Sequence, residues 1–169
     1  REWLLVCLCM CLVAMVCYGQ EAVPGAAGKK LIEYGWDVPE PGFIAQHIDE
    51  MQAKPFDGLI FRLKGGNQVF DPQPWESSRF AEDYAILPTI DWGAFTDNFI
   101  IMFAASDQDW FNDDHWAAIA NNARLMARAA RLAGCVGVCF DAEPYGTNPW
   151  VYSGAAHYET KSFAEYEAM

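Results

Sequence analysis

The chain has 169 residues, is 53% hydrophobic and 15% aromatic, and carries a formal net charge of −12. That length and apolar content are enough for one domain with a substantial core. The acidity disfavours nucleic acid and anionic lipid as partners, since both need a basic surface, and it suits neutral ligands such as glycans.

Arg1 precedes an apolar run from Trp3 to Cys17, and a Pro/Gly/Ala-rich spacer follows over residues 20–28. A basic start and about fifteen apolar residues resemble a secretory signal peptide over residues 1–19 more than a membrane span, which needs about twenty. The mature protein is therefore expected to be secreted or periplasmic, without a stable membrane span; a retained anchor or a lipid on Cys17 is the alternative. Cys7, Cys9, Cys11 and Cys17 fall in this leader and leave Cys135 and Cys139. Four residues apart on one strand, those two would lie roughly 13 Å from each other, beyond disulfide reach, so they are expected as small core residues. No Cys/His spacing matches a zinc site.

In chain order, Lys30 to Tyr34 reads as a first strand running into the loop Gly35-Trp36-Asp37-Val38-Pro39. Pro41 to Ala53 reads as a helix with Phe43, Ile44, His47, Ile48 and Met51 on one face. The turn at Phe56-Asp57-Gly58 leads into a second strand, Leu59 to Leu63, followed by a long loop to Trp75 and a less regular helical stretch between Glu76 and Phe95. Phe99 to Ala104 has no polar alternation, as expected of a third strand buried on both faces. The next helix carries Ile119, Ala123, Met126, Ala127 and Ala130 on one side and Arg124, Arg128 and Arg131 on the other. Asn112, Asp113 or Asp114 can cap its start and Gly134 its end. A fourth, buried strand spans Val136 to Phe140, and Ser162-Phe-Ala-Glu165 has the form of a capping box opening a last helix.

Strict strand-helix alternation predicts an α/β fold with a parallel sheet. The chain begins at Arg and stops within a helix, and a full eight-unit barrel takes about 250 residues. Residues 29–169 are therefore expected to form the first half of a TIM (β/α)8 barrel, inactive without the other half. The fourth strand ends by presenting Asp141 and Glu143, whose i, i+2 spacing aims both carboxylates to one side, roughly 6–7 Å apart along the backbone. Carboxyl ends of parallel strands are where such folds place their chemistry.

The stretch Gly137-Val-Cys-Phe-Asp-Ala-Glu143 resembles the fourth strand of barrel-fold glycoside hydrolases. In the chitinase-like family 18 that strand carries Asp-x-x-Asp-x-Asp-x-Glu, and here its final Asp-x-Glu is matched by Asp141 and Glu143, with Val136 and Cys139 at the earlier acidic positions. The resemblance implies Glu143 as the proton donor to the glycosidic oxygen and Asp141 as its partner. Leu31-Ile-Glu-Tyr-Gly-Trp-Asp37 together with Phe140-Asp-Ala-Glu-Pro-Tyr145 also looks like exported bacterial barrel proteins of unassigned function.

Glycoside cleavage needs an acid at the leaving oxygen and a second group that stabilises the transition state, and two adjacent carboxylates resist double ionisation. The competing reading pairs Asp141 with Arg62 inside the sheet and leaves Glu143 to cap a loop. Trp36 is a candidate sugar platform and Asp37 a hydroxyl ligand, although rim packing also explains such a Trp. Arg62, mid-strand, is expected to pair with Asp141 or Glu33. Asp107 lies in a cluster of oxygen ligands that lacks the glycine and distal Glu of a calcium loop and reads better as a solvated loop with helix caps. Tyr145, Trp150 and Tyr152 could line a subsite or cover the rim. No phosphate loop or His-x-His pair appears, so no cofactor is expected. The expected partner is a carbohydrate, as substrate or, in a non-catalytic binding protein, as ligand.

Overall fold

The computed structural model describes residues 28–105, 109–143 and 150–169. The leader and spacer assigned from sequence lie almost wholly outside the described residues, as do Asp107 and Tyr145. Four strands, β1 (Ile32–Glu33), β2 (Gly58–Phe61), β3 (Phe99–Phe103) and β4 (Gly137–Asp141), form one parallel sheet in the order β1-β2-β3-β4. The helices are α1 (Pro41–Gln52), α2 (Ala81–Ile86), α3 (Asp113–Ala133) and α4 (Phe163–Glu167). The α/β class and the parallel sheet read from the alternation are both present.

Register sorts the side chains. Ile60 pairs with Phe99, and Phe99 to Phe103 pair in step with Gly137 to Asp141. Because paired residues share a face and successive residues alternate, Leu59, Phe61, Ile100, Met102, Val138 and Phe140 face one way. Ile60, Ile101, Phe103, Cys139 and Asp141 face the other. The helices cover the first face, where Ile44 from α1 and Met126, Ala129 and Ala133 from α3 join Leu59, Phe61, Ile100 and Met102 in one core.

Helix α3 starts and stops by local chemistry. The Asn112 side chain accepts the N–H groups of Asp114 and His115, two donors the helix cannot satisfy itself. At the other end Gly134 sits at φ 65°; its N–H reaches the Arg131 carbonyl while that of Cys135 reaches Ala130, a Schellman closure.

Several expectations are corrected. Phe43 is 54% exposed and packs against His47 at 4.3 Å, so these two leave the core-facing side of α1 to buried Pro41 and Ile44, with Ile48 and Met51 partly buried against the core. The stretch from 76 to 95 is helical only in pieces: 3-10 turns at Ser77–Phe80 and Leu87–Thr89 flank the short α2, and Pro88 removes a donor that a longer helix would need. Strand β4 forms in place but is half-exposed, with Val138 and Phe140 open on the helix-bearing face. As the last strand in the order it has a neighbour on one side only among the described residues. Among those residues, no helix is long and apolar enough to cross a membrane.

Candidate functional site

All four strands run the same way, so their carboxyl ends meet on one edge. A cavity of about 710 Å³ opens there. The end of β1 supplies Tyr34 and the following loop Gly35, Trp36 and Val38; β3 supplies Phe103 and Ala105; β4 supplies Asp141 and Glu143. Residues from both outer strands thus line one cavity, which requires the sheet to curl over this face.

Strand β4 ends in a local turn. Asp141 Oδ1 accepts the Glu143 N–H at 3.0 Å, and the two-residue step fixes both carboxyl groups beside the cavity. Tyr34 is 52% exposed, and partial desolvation first, then the negative charges of Asp141, Cys139 and Glu143, push its phenol up. Burial and Asp141 likewise push up the Cys139 thiol. On β3, by contrast, the lining is apolar. Trp36 stands 99% exposed beside the acids, so the ring is accessible to a stacking partner.

The eighth side chain of the site, Gln68, escapes a reading by spacing because it depends on how the loop after β2 returns to the sheet. Beyond Leu63 the chain leaves β3, and residues 67–69 then rejoin its far end. Phe103 N–H bonds the Asn67 carbonyl at 2.8 Å and Val69 N–H bonds the Phe103 carbonyl at 3.0 Å. Buried Asn67 fills the gap, accepting from Leu63 N–H at 3.0 Å and donating to the Ile101 carbonyl at 2.7 Å. Gln68 then donates its amide N–H to the Ala105 carbonyl, which orients it at the cavity wall.

Two further buried groups hold the same loop. Asn122, on the core face of α3, accepts from Trp75 N–H at 2.8 Å and donates to the carbonyls of Val69, Asp71 and Gln73. Asp83 accepts from the N–H groups of Lys64 and Gly65, each at 3.0 Å. Burial raises the Asp83 carboxyl despite those two bonds. The available sequence signal was an Asn at position 122, in step with Ile119 and Met126 on an apolar stripe, where an unsatisfied amide would be costly.

Of the residues singled out in the sequence, Trp36, Asp141 and Glu143 come together at the cavity. Asp37 is exposed and lies outside the lining. Arg62 also lies outside it and pairs with neither Asp141 nor Glu33: its guanidinium bonds Glu40 Oε1 at 2.9 Å, and it is half-exposed. The reason is that β2 ends at Phe61 and Arg62 N–H already bonds the Pro39 carbonyl, turning the side chain toward the loop before α1. Trp150 and Tyr152 line a separate, smaller cavity of about 240 Å³ with Trp110, Phe163 and Tyr166.

Cys135 and Cys139 are free thiols, and burial pushes Cys135 up to about 12. Among the described residues no three His, Cys, Asp or Glu side chains gather to hold a metal. His157 meets Asp109 at 3.1 Å. Burial alone would raise Asp109, but the Phe111 N–H and His157 outweigh it and hold the carboxyl below its usual range. No family model, curated protein or solved structure matches this chain.

Proposed function

We propose that the cavity is a glycan site in which Glu143 protonates a glycosidic oxygen with Asp141 as its partner, on a (β/α)8 barrel whose first four units these are. The observation that carries the reading is the meeting of Asp141, Glu143 and a fully exposed Trp36 around one cavity at the carboxyl edge of a parallel sheet. Two carboxylates supply the proton-transfer chemistry, and the indole supplies a flat apolar face for a sugar ring. Sequential strand order and the curl of the sheet support a barrel over a doubly wound sheet, whose order reverses at its switch point. The apolar leader over residues 1–19 supports export.

The test is reducing-end release from neutral polysaccharides by the full-length protein. Glu143→Gln should lower turnover by about 100-fold or more while leaving binding in place. Unchanged turnover would refute Glu143 as the acid. A second reading, sugar binding without hydrolysis, draws on the Asp141 bond to the Glu143 N–H, which gives Asp141 a structural task in the turn. Saturable binding with no reducing ends released by the wild type would favour it.

A further inference from the structure

The two acids leave the site short of one kind of group. Apart from the proton that Glu143 gives up, the two carboxyl groups accept hydrogen bonds, whereas sugar hydroxyls seek both donors and acceptors. The Gln68 amide gives one N–H to the Ala105 carbonyl and keeps one, and the Trp36 indole carries a further N–H. Val38, Phe103 and Ala105 have no polar side-chain atoms, and no lysine, arginine or histidine lines the cavity among the described residues. Among the described residues of the lining, the phenol of Tyr34 is the hydroxyl, a group that both donates and accepts. Tyr34 lies two residues beyond Ile32, whose partner Gly58 is in step with Ile60, so alternation turns it to the same face as Asp141.

We infer that Tyr34 is a third working residue of this site, its hydroxyl just beyond β1 giving a ring ligand a group that both donates and accepts, beside Asp141 and Glu143 at the end of β4. This inference rests on the glycan reading for its ligand, but not for the grouping of the three side chains. It also sets a preference: with two acids and no cation in the lining, uncharged sugars enter and uronides are repelled. The raised phenol agrees with this grouping, because Asp141, Cys139 and Glu143 all face it and all disfavour the phenolate.

The experiment has two arms on the full chain. In the first, phenolate absorbance is titrated with pH, and the wild type minus Tyr34→Phe difference isolates this one phenol. It should ionise above the usual tyrosine range and fall back toward it in the Asp141→Asn/Glu143→Gln double variant. Identical curves with and without the acids would overturn the inference, whatever the ligand. In the second, calorimetry on the Glu143→Gln background uses cellohexaose, xylohexaose and chitohexaose as probes, with a galacturonate hexamer as the anionic control. Tyr34→Phe, with its melting temperature unchanged, should weaken binding of the best neutral probe about tenfold. Equal affinity in Tyr34→Phe would also overturn the donor role. If the phenol titrates with the acids but the parent binds no sugar, the glycan reading fails and the three-residue grouping stands.

Discussion

Asn122 shows how much one amide can hold in place. It serves one N–H and three carbonyls of the loop that carries Gln68 to the cavity, and it is fully buried. Asn122→Leu keeps the forked shape of the side chain but strands those groups, so urea unfolding should show a loss of about 2–4 kcal/mol. A change within about 0.5 kcal/mol would mean that the loop satisfies itself with water. Glu165 makes a sharper residue-scale case. The Ser162 N–H first, with Lys161 and the Ser162 hydroxyl, draws its carboxyl down to about 2. A depressed folded value contributes stability above the ordinary 4.5 that is lost as pH falls through about 2. Carboxyl NMR titration should find that low midpoint, and Ser162→Ala should return it upward; an ordinary midpoint in the wild type would show the capping box open in solution. The capping box was legible in Ser162-Phe-Ala-Glu165 because its partners are three residues apart. The bonds of Asn122 were not, because they cross 47 positions or more.

At the scale of elements, two glycines separate two kinds of constraint. At Gly58, the first residue of β2, a Cβ would stand 2.0 Å from the Asp97 carbonyl oxygen, inside the backbone of the segment entering β3. Gly58→Ala must push these neighbours apart and should cost about 2 kcal/mol or more. At Gly134 a Cβ meets nothing within 4 Å, and only the left-handed backbone resists it. Gly134→Ala should therefore cost about 1 kcal/mol. Chemical denaturation of both variants checks the order, and a larger loss at Gly134 would contradict it. Caps and strand positions could be read because they depend on neighbours in sequence. The exposure of β4 could not, since Val138 and Phe140 look like core residues wherever they stand and their burial depends on what covers them. The partner of Arg62 was misjudged for a related reason: a strand end moved by two residues, from Leu63 to Phe61, sends the side chain to Glu40 instead.

On the scale of the whole molecule, four parallel strands in sequential order bring distant residues to one edge, from Tyr34 after the first to Glu143 after the last. The Asp-x-Glu spacing was enough to place two acids together, but Tyr34 and Gln68 become neighbours of those acids only once the sheet curls and the loop after β2 returns. Amide shift mapping of the protein with a saturating neutral hexasaccharide tests the site most directly. Perturbations should gather at Tyr34, Trp36, Gln68, Phe103 and Glu143. Shifts confined to the aromatic cavity of Trp110, Tyr152 and Tyr166, or no shifts with any neutral sugar, would contradict a glycan site at the carboxyl edge of the sheet.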